Sequence, residues 1–241
     1  MARRLGLLLE SPRGERVANV TIETRAGVRF RGCGTASRNR VFLPSEPPPS
    51  IAAQAMAEGR NPLQLALDLM LAENGKGLLL NTFENYHAGN LDAVREMLLD
   101  DATVMSVADG GAHVSVICDA SAPTFLLSHW ARDRTRGPGL PLEMLVKKHT
   151  ADTAAAYGLG DRGVLAPGMR ADIAVIDFDR LALTPPEVIY DLPAGGRRLM
   201  QRARGYRHVF VNGVETLRDD AHTGALPGRL VRGARQAHAQ S

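Results

Sequence analysis

The chain has 241 residues and a mass of 25.9 kDa, with 44% hydrophobic residues, 24 Gly and 14 Pro; it is large enough to bury a core in one or two domains, and disorder or a collagen-like repeat is excluded. The net charge of +3 is spread unevenly: residues 1–40 carry +6, residues 41–195 carry −9 and residues 196–241 carry +6. An acidic body with basic ends and only 5% aromatics argues against a nucleic-acid partner, which would need positive charge on the folded body or aromatic stacking platforms.

Cys33 and Cys118 are too few for a disulfide framework. No stretch approaches the ~18 apolar residues of a membrane span. Residues 5–9 are apolar and follow Arg3-Arg4 as a secretion signal would, but the run stops at Glu10 and reads as a buried strand. The expectation is a cytoplasmic chain with no membrane partner.

In chain order, Val20-Thr21-Ile22 and Val28-Arg29-Phe30 flank Ala26-Gly27 as a hairpin would. Residues 1–40 are otherwise poorly readable. Pro44 and Pro47-Pro48-Pro49 make a stiff connection, after which Ser50 caps a short helix running to Glu58. Asn61-Pro62 reads as N-cap and first residue of a second helix, with Leu63, Ala66, Leu67, Met70 and Leu71 on one apolar face and Asn74-Gly75 at its end. Leu78-Leu79-Leu80 suits a buried strand. Asn90 caps a third helix with Leu91, Val94 and Leu98 inward, and residues 103–107 read as another buried strand. This alternation predicts a parallel α/β arrangement. Helix follows at 123–129 and 141–157 with a polar break at 132–139, ended by Gly158 and Gly160. Beyond residue 160 the texture is strand and turn. Val164-Leu165 and residues 173–176 read as paired strands around Ala166-Pro167-Gly168, and Asn212-Gly213 between apolar runs is a strong hairpin signal. Residues 233–241 are expected to fray.

The sharpest local feature is Asp109-Gly110-Gly111-Ala112-His113, directly after the apolar run at 103–107. Functional groups of parallel α/β folds gather where strands end, and two glycines let a substrate approach a carboxylate that serves as general base or metal ligand. Asp-Gly-Gly is also ordinary turn composition, and the local pattern alone favours the turn over the functional reading. Among the seven histidines, His87, His113, His129, His149, His208, His222 and His238, there is no H-x-H pair and no H-E-x-x-H. His129, beside Trp130, reads as a packed histidine, His113 as either substrate-facing or structural, and Cys118 as a small buried hydrophobe. G-x-S-x-G, Walker A and G-x-G-x-x-G motifs are absent, which lowers serine hydrolase, P-loop and dinucleotide readings.

Together with Asp109-Gly110-Gly111-Ala112-His113, several further stretches are similar to the N-acyl-D-amino-acid deacylase branch of the amidohydrolase superfamily. They are Asp119-Ala120-Ser121-Ala122-Pro123-Thr124-Phe125, Leu140-Pro141-Leu142-Glu143 through Thr150-Ala151-Asp152-Thr153-Ala154, Asp161-Arg162-Gly163-Val164-Leu165-Ala166-Pro167-Gly168, Ala171-Asp172-Ile173, Asp191-Leu192-Pro193-Ala194-Gly195-Gly196-Arg197-Arg198, and Thr223-Gly224-Ala225-Leu226-Pro227-Gly228-Arg229. The resemblance runs from about residue 40 to 234. It implies the C-terminal part of a metal-dependent (β/α)8 barrel over residues 1–160 and a β-rich module of the family's sandwich over 161–241. It further implies zinc-dependent hydrolysis of a non-peptide C–N amide bond in a small N-acyl amine or amino-acid-like substrate. Asp109 matches the family Asp that ends the last barrel strand, contacts the metal and acts as general acid/base, and this tips the local balance toward function. His113 lies in the matching motif, but the resemblance carries no catalytic role over to it; substrate binding by His113 is expected only from its place close to Asp109.

The departures from the family are equally specific. No H-x-H, bridging ligand or further pair of metal histidines precedes Asp109. The 108 residues before it have room for about three βα units of ~30 residues and not seven. Ala120 stands where relatives acting on simple N-acyl-D-amino acids carry an Arg for the substrate carboxylate. Residues 10–39 do not follow the family. The expectation is therefore a fragment that lacks most zinc ligands and is inactive alone; the alternative is a non-catalytic half-barrel that self-associates or needs a partner chain supplying the N-terminal half, or a truncated gene product.

Overall fold

Short polar side chains start the helices where the sequence places them. The Ala53 amide donates to Ser50 Oγ at 3.1 Å at the head of the helix Ile51–Ala57. The Leu63 and Gln64 amides donate to Asn61 Oδ1 at 2.9 and 3.3 Å at the head of Pro62–Gly75, where Pro62 occupies a position whose N–H has no helical partner to lose. The Asp92 amide donates to Asn90 Oδ1 at 2.9 Å ahead of Asp92–Leu99. The computed structural model describes residues 20–23, 50–75, 77–81, 90–105, 114–115, 117, 119–231 and 235–236. They fall in two compact units, residues 1–99 and residues 100–241, so the change from helix to strand near residue 160 lies inside the second.

In the first unit, β1 (Val20–Glu23) pairs antiparallel with β2 (Leu78–Asn81), Val20 opposite Asn81 and Glu23 opposite Leu78. Residues 28–30, the partner that the expected hairpin would supply, lie outside the described residues; the pairing seen for β1 is a longer-range one with the apolar run at 78–80. The parallel arrangement anticipated for the apolar strand at 78–80 differs from what is seen, since its partner among the described residues runs antiparallel to it. The core joins Ile51 and Ala55 to Leu65 and Ala66, with Leu69, Met70 and Leu79 against them. This rotates the second helix from its expected face: Leu65 is buried, whereas Leu63 and Leu71 are exposed. That helix is apolar nearly all round, so periodicity alone selects no face and packing against Ile51 and Ala55 decides. Leu91 and Leu98 are buried as anticipated.

In the second unit, Ala122–Ser128 continues into a π turn at His129–Asp133. Leu142–Lys147 passes through a second π turn, Lys148–Asp152, into Thr153–Ala156. The second lies within the expected helical stretch 141–157, whereas the first carries the helix four residues past its expected end at 129 and into the polar break. Trp130, Leu126, Leu145 and Leu181 are its most completely buried large side chains. Thr103-Val104-Met105 differs from expectation: it forms no strand among the described residues, and Val104 is exposed. Side chains take its carbonyls instead, as set out below.

The strands that follow are β3 (Leu159–Gly160), β4 (Ile173–Ile176), β5 (Ala182–Leu183), β6 (Glu187–Leu192), β7 (Gly196–Met200), β8 (Ala203–Arg204), β9 (Tyr206–Val211), β10 (Val214–Arg218), β11 (Ala221–His222) and β12 (Arg235–Gln236). A four-stranded antiparallel sheet runs β11-β10-β9-β4, and β6 pairs with β7, β5 with β8 and β12 with β3. Asn212 and Gly213, both at positive φ of 52° and 78°, join β9 to β10 as the Asn-Gly signal predicts. Val164-Leu165 is not a strand: both side chains are exposed in a loop closed by the Arg170 amide on Asp161 O at 2.7 Å. Arg235–Gln236 pairs in parallel with β3 rather than fraying.

Candidate functional site

Asp109 and His113 lie outside the described residues, as do His87, His238, Cys33 and Cys118. The chain on either side of Asp109 is anchored. Lys148, 5% exposed, donates through Nζ to Asp100 O at 2.8 Å, Thr103 O at 2.5 Å and Thr103 Oγ1 at 3.3 Å. Thr153 Oγ1 lies 3.1 Å from Met105 O and 2.8 Å from Lys148 O. On the far side, the Leu199 amide of β7 donates to Val114 O at 2.7 Å. Carbonyls that a neighbouring strand would bind are thus held by a buried ammonium and a hydroxyl, which satisfies backbone groups without a ladder.

Lys148 and Thr153 fall inside the 140–154 stretch that carries the family resemblance, but the sequence reading gives neither of them a role. A signal was present: Lys148 stands three residues beyond the fully buried Leu145 on the same helical stripe, where a lysine is out of place unless its ammonium has partners.

Two of the described histidines, His129 and His208, fill structural places. His129 stacks on Phe125 at 4.6 Å between ring centroids and meets Trp130 edge-on at 5.0 Å. Burial, reinforced by the positive charge of Arg134, pushes its pKa down to about 4, so the ring is neutral at pH 7. This agrees with the packed histidine read from the sequence. Burial likewise lowers the pKa of His149. His208 Nδ1 lies 2.6 Å from Glu215 Oε1, and hydrogen bonds from Arg218 and then His208 hold the Glu215 carboxyl down to about 2. Arg162 bridges Asp161 at 3.0 Å and Asp172 at 2.8 Å, and Asp172 Oδ1 accepts the Asn212 amide at 2.7 Å. These charges tie the 161–172 loop to the β9–β10 turn. Ala120, in the 3-10 turn Asp119–Ser121, is exposed and offers only a methyl group.

Among the described residues no three His, Cys, Asp or Glu side chains converge to hold a metal ion, so the described part of the chain does not fit a zinc centre by itself. No helix of the described residues is long and apolar enough to cross a membrane.

Two curated proteins of Alcaligenes xylosoxydans xylosoxydans are similar to the chain. A D-aminoacylase is 38% identical over 107 residues, 44% of this chain and 19% of the relative. An N-acyl-D-glutamate deacylase is 37% identical over 93 residues, 39% of this chain and 17% of the relative. The matches thus span less than a fifth of either relative. A solved D-aminoacylase structure, whose binuclear metal centre was the subject of study, aligns over 93% of this chain and 44% of its own, at 22% identity and a TM-score of 0.41. The amidohydrolase family itself matches over residues 22–216, most of the chain, and the protein belongs to that family.

Proposed function

We propose that this chain contributes the acid/base half of an amidohydrolase acting on a non-peptide C–N amide bond, with Asp109 as the general acid/base. The observation that carries the reading is the family match across Asp109-Gly110-Gly111-Ala112-His113, together with the anchoring of the chain on both sides of that motif. The substrate class is an N-acyl amine or amino-acid-like amide, by likeness to the two deacylases. Ala120 leaves the recognition of its carboxylate to other groups. In this reading residues 1–160 belong to a (β/α)8 barrel and residues 161–241 to its β-sandwich module.

The Asp109 carboxylate takes a proton from the attacking water and returns it to the departing nitrogen, which would otherwise leave as an unstable amide anion. His113 faces the substrate. A zinc ion held in part by Asp109 would supply polarisation of the scissile carbonyl and a more acidic water. The 241 residues contain no H-x-H pair, so this reading assigns Asp109 to the metal and the remaining ligands to polypeptide outside them.

The test compares zinc content and amide hydrolysis of the purified chain alone and mixed with the H-x-H-bearing part of a D-aminoacylase. The chain alone is expected to hold little zinc and to be inactive. The mixture hydrolyses N-acyl-D-amino acids or related amides, and Asp109→Asn lowers turnover by ~10²–10⁴-fold. Full turnover with Asp109→Asn overturns the assignment. Tight stoichiometric zinc and activity in the chain alone overturn the placement of the ligands.

A second reading, a non-catalytic half-barrel that associates with itself or with a partner chain, is favoured by the exposure of Met56 at 83% and Leu71 at 58% on neighbouring helices. Sedimentation decides it: a monodisperse monomer removes this reading.

A further inference from the structure

Lys148 is the one cation among the described residues whose side chain is buried, at 5% exposure, and its three N–H donors meet three neutral oxygens within 3.3 Å. A lysine has three donors to place, so the ammonium is satisfied without a carboxylate. As a device for stability alone this is a poor choice, since an apolar side chain of similar volume avoids the cost of desolvating a charge. What the ammonium does that an apolar group cannot is grip two carbonyls and a hydroxyl at chosen points of the 100–105 segment. Thr153, five residues on, grips the same segment at Met105 O. Four residues of chain, ~14 Å at full extension, separate Met105 from Asp109, and five, ~18 Å, separate Asp109 from the bound carbonyl of Val114.

We propose that Lys148 is a positioning residue: its three-point hold on Asp100 and Thr103 sets the register of the segment that delivers Asp109. The proposal rests on the reading of Asp109 given above, but it is measurable without activity. In the isolated full chain, Lys148→Met keeps most of the side-chain volume and removes the donors. Amide hydrogen exchange is expected to quicken at least ~10-fold at residues 101–105, while residues 173–218 stay within ~2-fold of wild type. Uniform quickening across residues 100–241 marks a merely stabilising lysine and overturns the proposal, as does no change. Should Lys148→Met fail to fold, Lys148→Gln keeps a polar side chain at the buried position and replaces the three ammonium donors by a carboxamide with two. Quickening confined to the same segment supports the proposal, and exchange unchanged there overturns it.

In the mixed, active preparation, Lys148→Met lowers kcat with little change in KM, because it releases the chain on the Asp109 side of the motif while the Leu199 amide still holds Val114 beside His113. If Asp109→Asn abolishes turnover while Lys148→Met leaves kcat intact, the positioning role falls and the assignment of Asp109 stands. If Asp109→Asn leaves turnover intact, the assignment falls, and the exchange data still decide what Lys148 holds.

Discussion

The helical stretch at 119–157 and the strand-rich stretch at 159–223 use polar groups in opposite ways. The first buries them: Lys148, His129, Thr124 and Ser128 are all below 9% exposure, and the lysine reaches back 45 residues or more to backbone oxygens. The second keeps most charges near the surface and pairs them between neighbouring strands, as in Arg198 with Asp191, or along one strand, as in Arg218 with Glu215. Exposed pairs of that kind contribute little to stability. Buried polar groups cost desolvation and repay it only through completed hydrogen bonds. The difference separates a region built to hold a remote segment in place from one whose charges reinforce a register that turn chemistry already specifies.

The largest break in that contrast comes from the helical side. Trp130, 2% exposed, carries Arg134 over its face and His129 at its edge, and Trp130→Ala is expected to cost ~3–5 kcal/mol in urea unfolding of the chain. A loss under 1 kcal/mol would show that the helical core is not the main store of stability. Next is the acid response of His129. Its folded pKa of about 4 lies below the ordinary 6.5, so between those values the unfolded chain takes up a proton that the folded chain refuses. Stability therefore falls as pH drops from about 6.5 to about 4 and levels off below, by up to about 3 kcal/mol. Urea midpoints across that range should show the slope in wild type, and His129→Phe should flatten it; an equal slope in both removes His129 as the cause.

The smallest effects belong to the strand region, where two glycines sharpen the comparison. A Cβ at Gly205 would sit 2.8 Å from the Leu181 backbone, whereas one at Gly213 meets nothing closer than Ala171 Cβ at 4.0 Å. Both have positive φ. Gly213→Ala is expected to cost ~1–2 kcal/mol from backbone strain alone. Gly205→Ala should cost more, since backbone must also move. Equal thermal shifts would mean that the 180–181 backbone yields freely.

What was legible in the sequence follows the range of the interaction. Ser50, Asn61 and Asn90 act on amides two or three residues away, and Asn212-Gly213 acts on its own two dihedrals, so local chemistry was sufficient. The pairing of Val20–Glu23 with Leu78–Asn81 and the buried face of Pro62–Gly75 depend on partners tens of residues distant or on the neighbouring helix, and the local pattern pointed elsewhere. Thr103-Val104-Met105 reads as a strand because its residues favour extended backbone, but its carbonyls are bound by Lys148 and Thr153 instead of a ladder. Of the candidate site, Asp109 and His113 were visible as a motif, and the residues that grip the chain before them were not.

By itself, then, the sequence determined the helix starts, the β9–β10 turn, the family motifs and the absence of an H-x-H pair, because each is a matter of residue type at short spacing. Tertiary structure alone decided which face of an all-round apolar helix is buried, that Gly205 admits no side chain against Leu181, and that a lysine on an apolar stripe spends its charge on carbonyls 45 and 48 residues earlier. The physical reason is common to all three: desolvation and close packing depend on what approaches from a distant part of the chain, and no local periodicity encodes that approach.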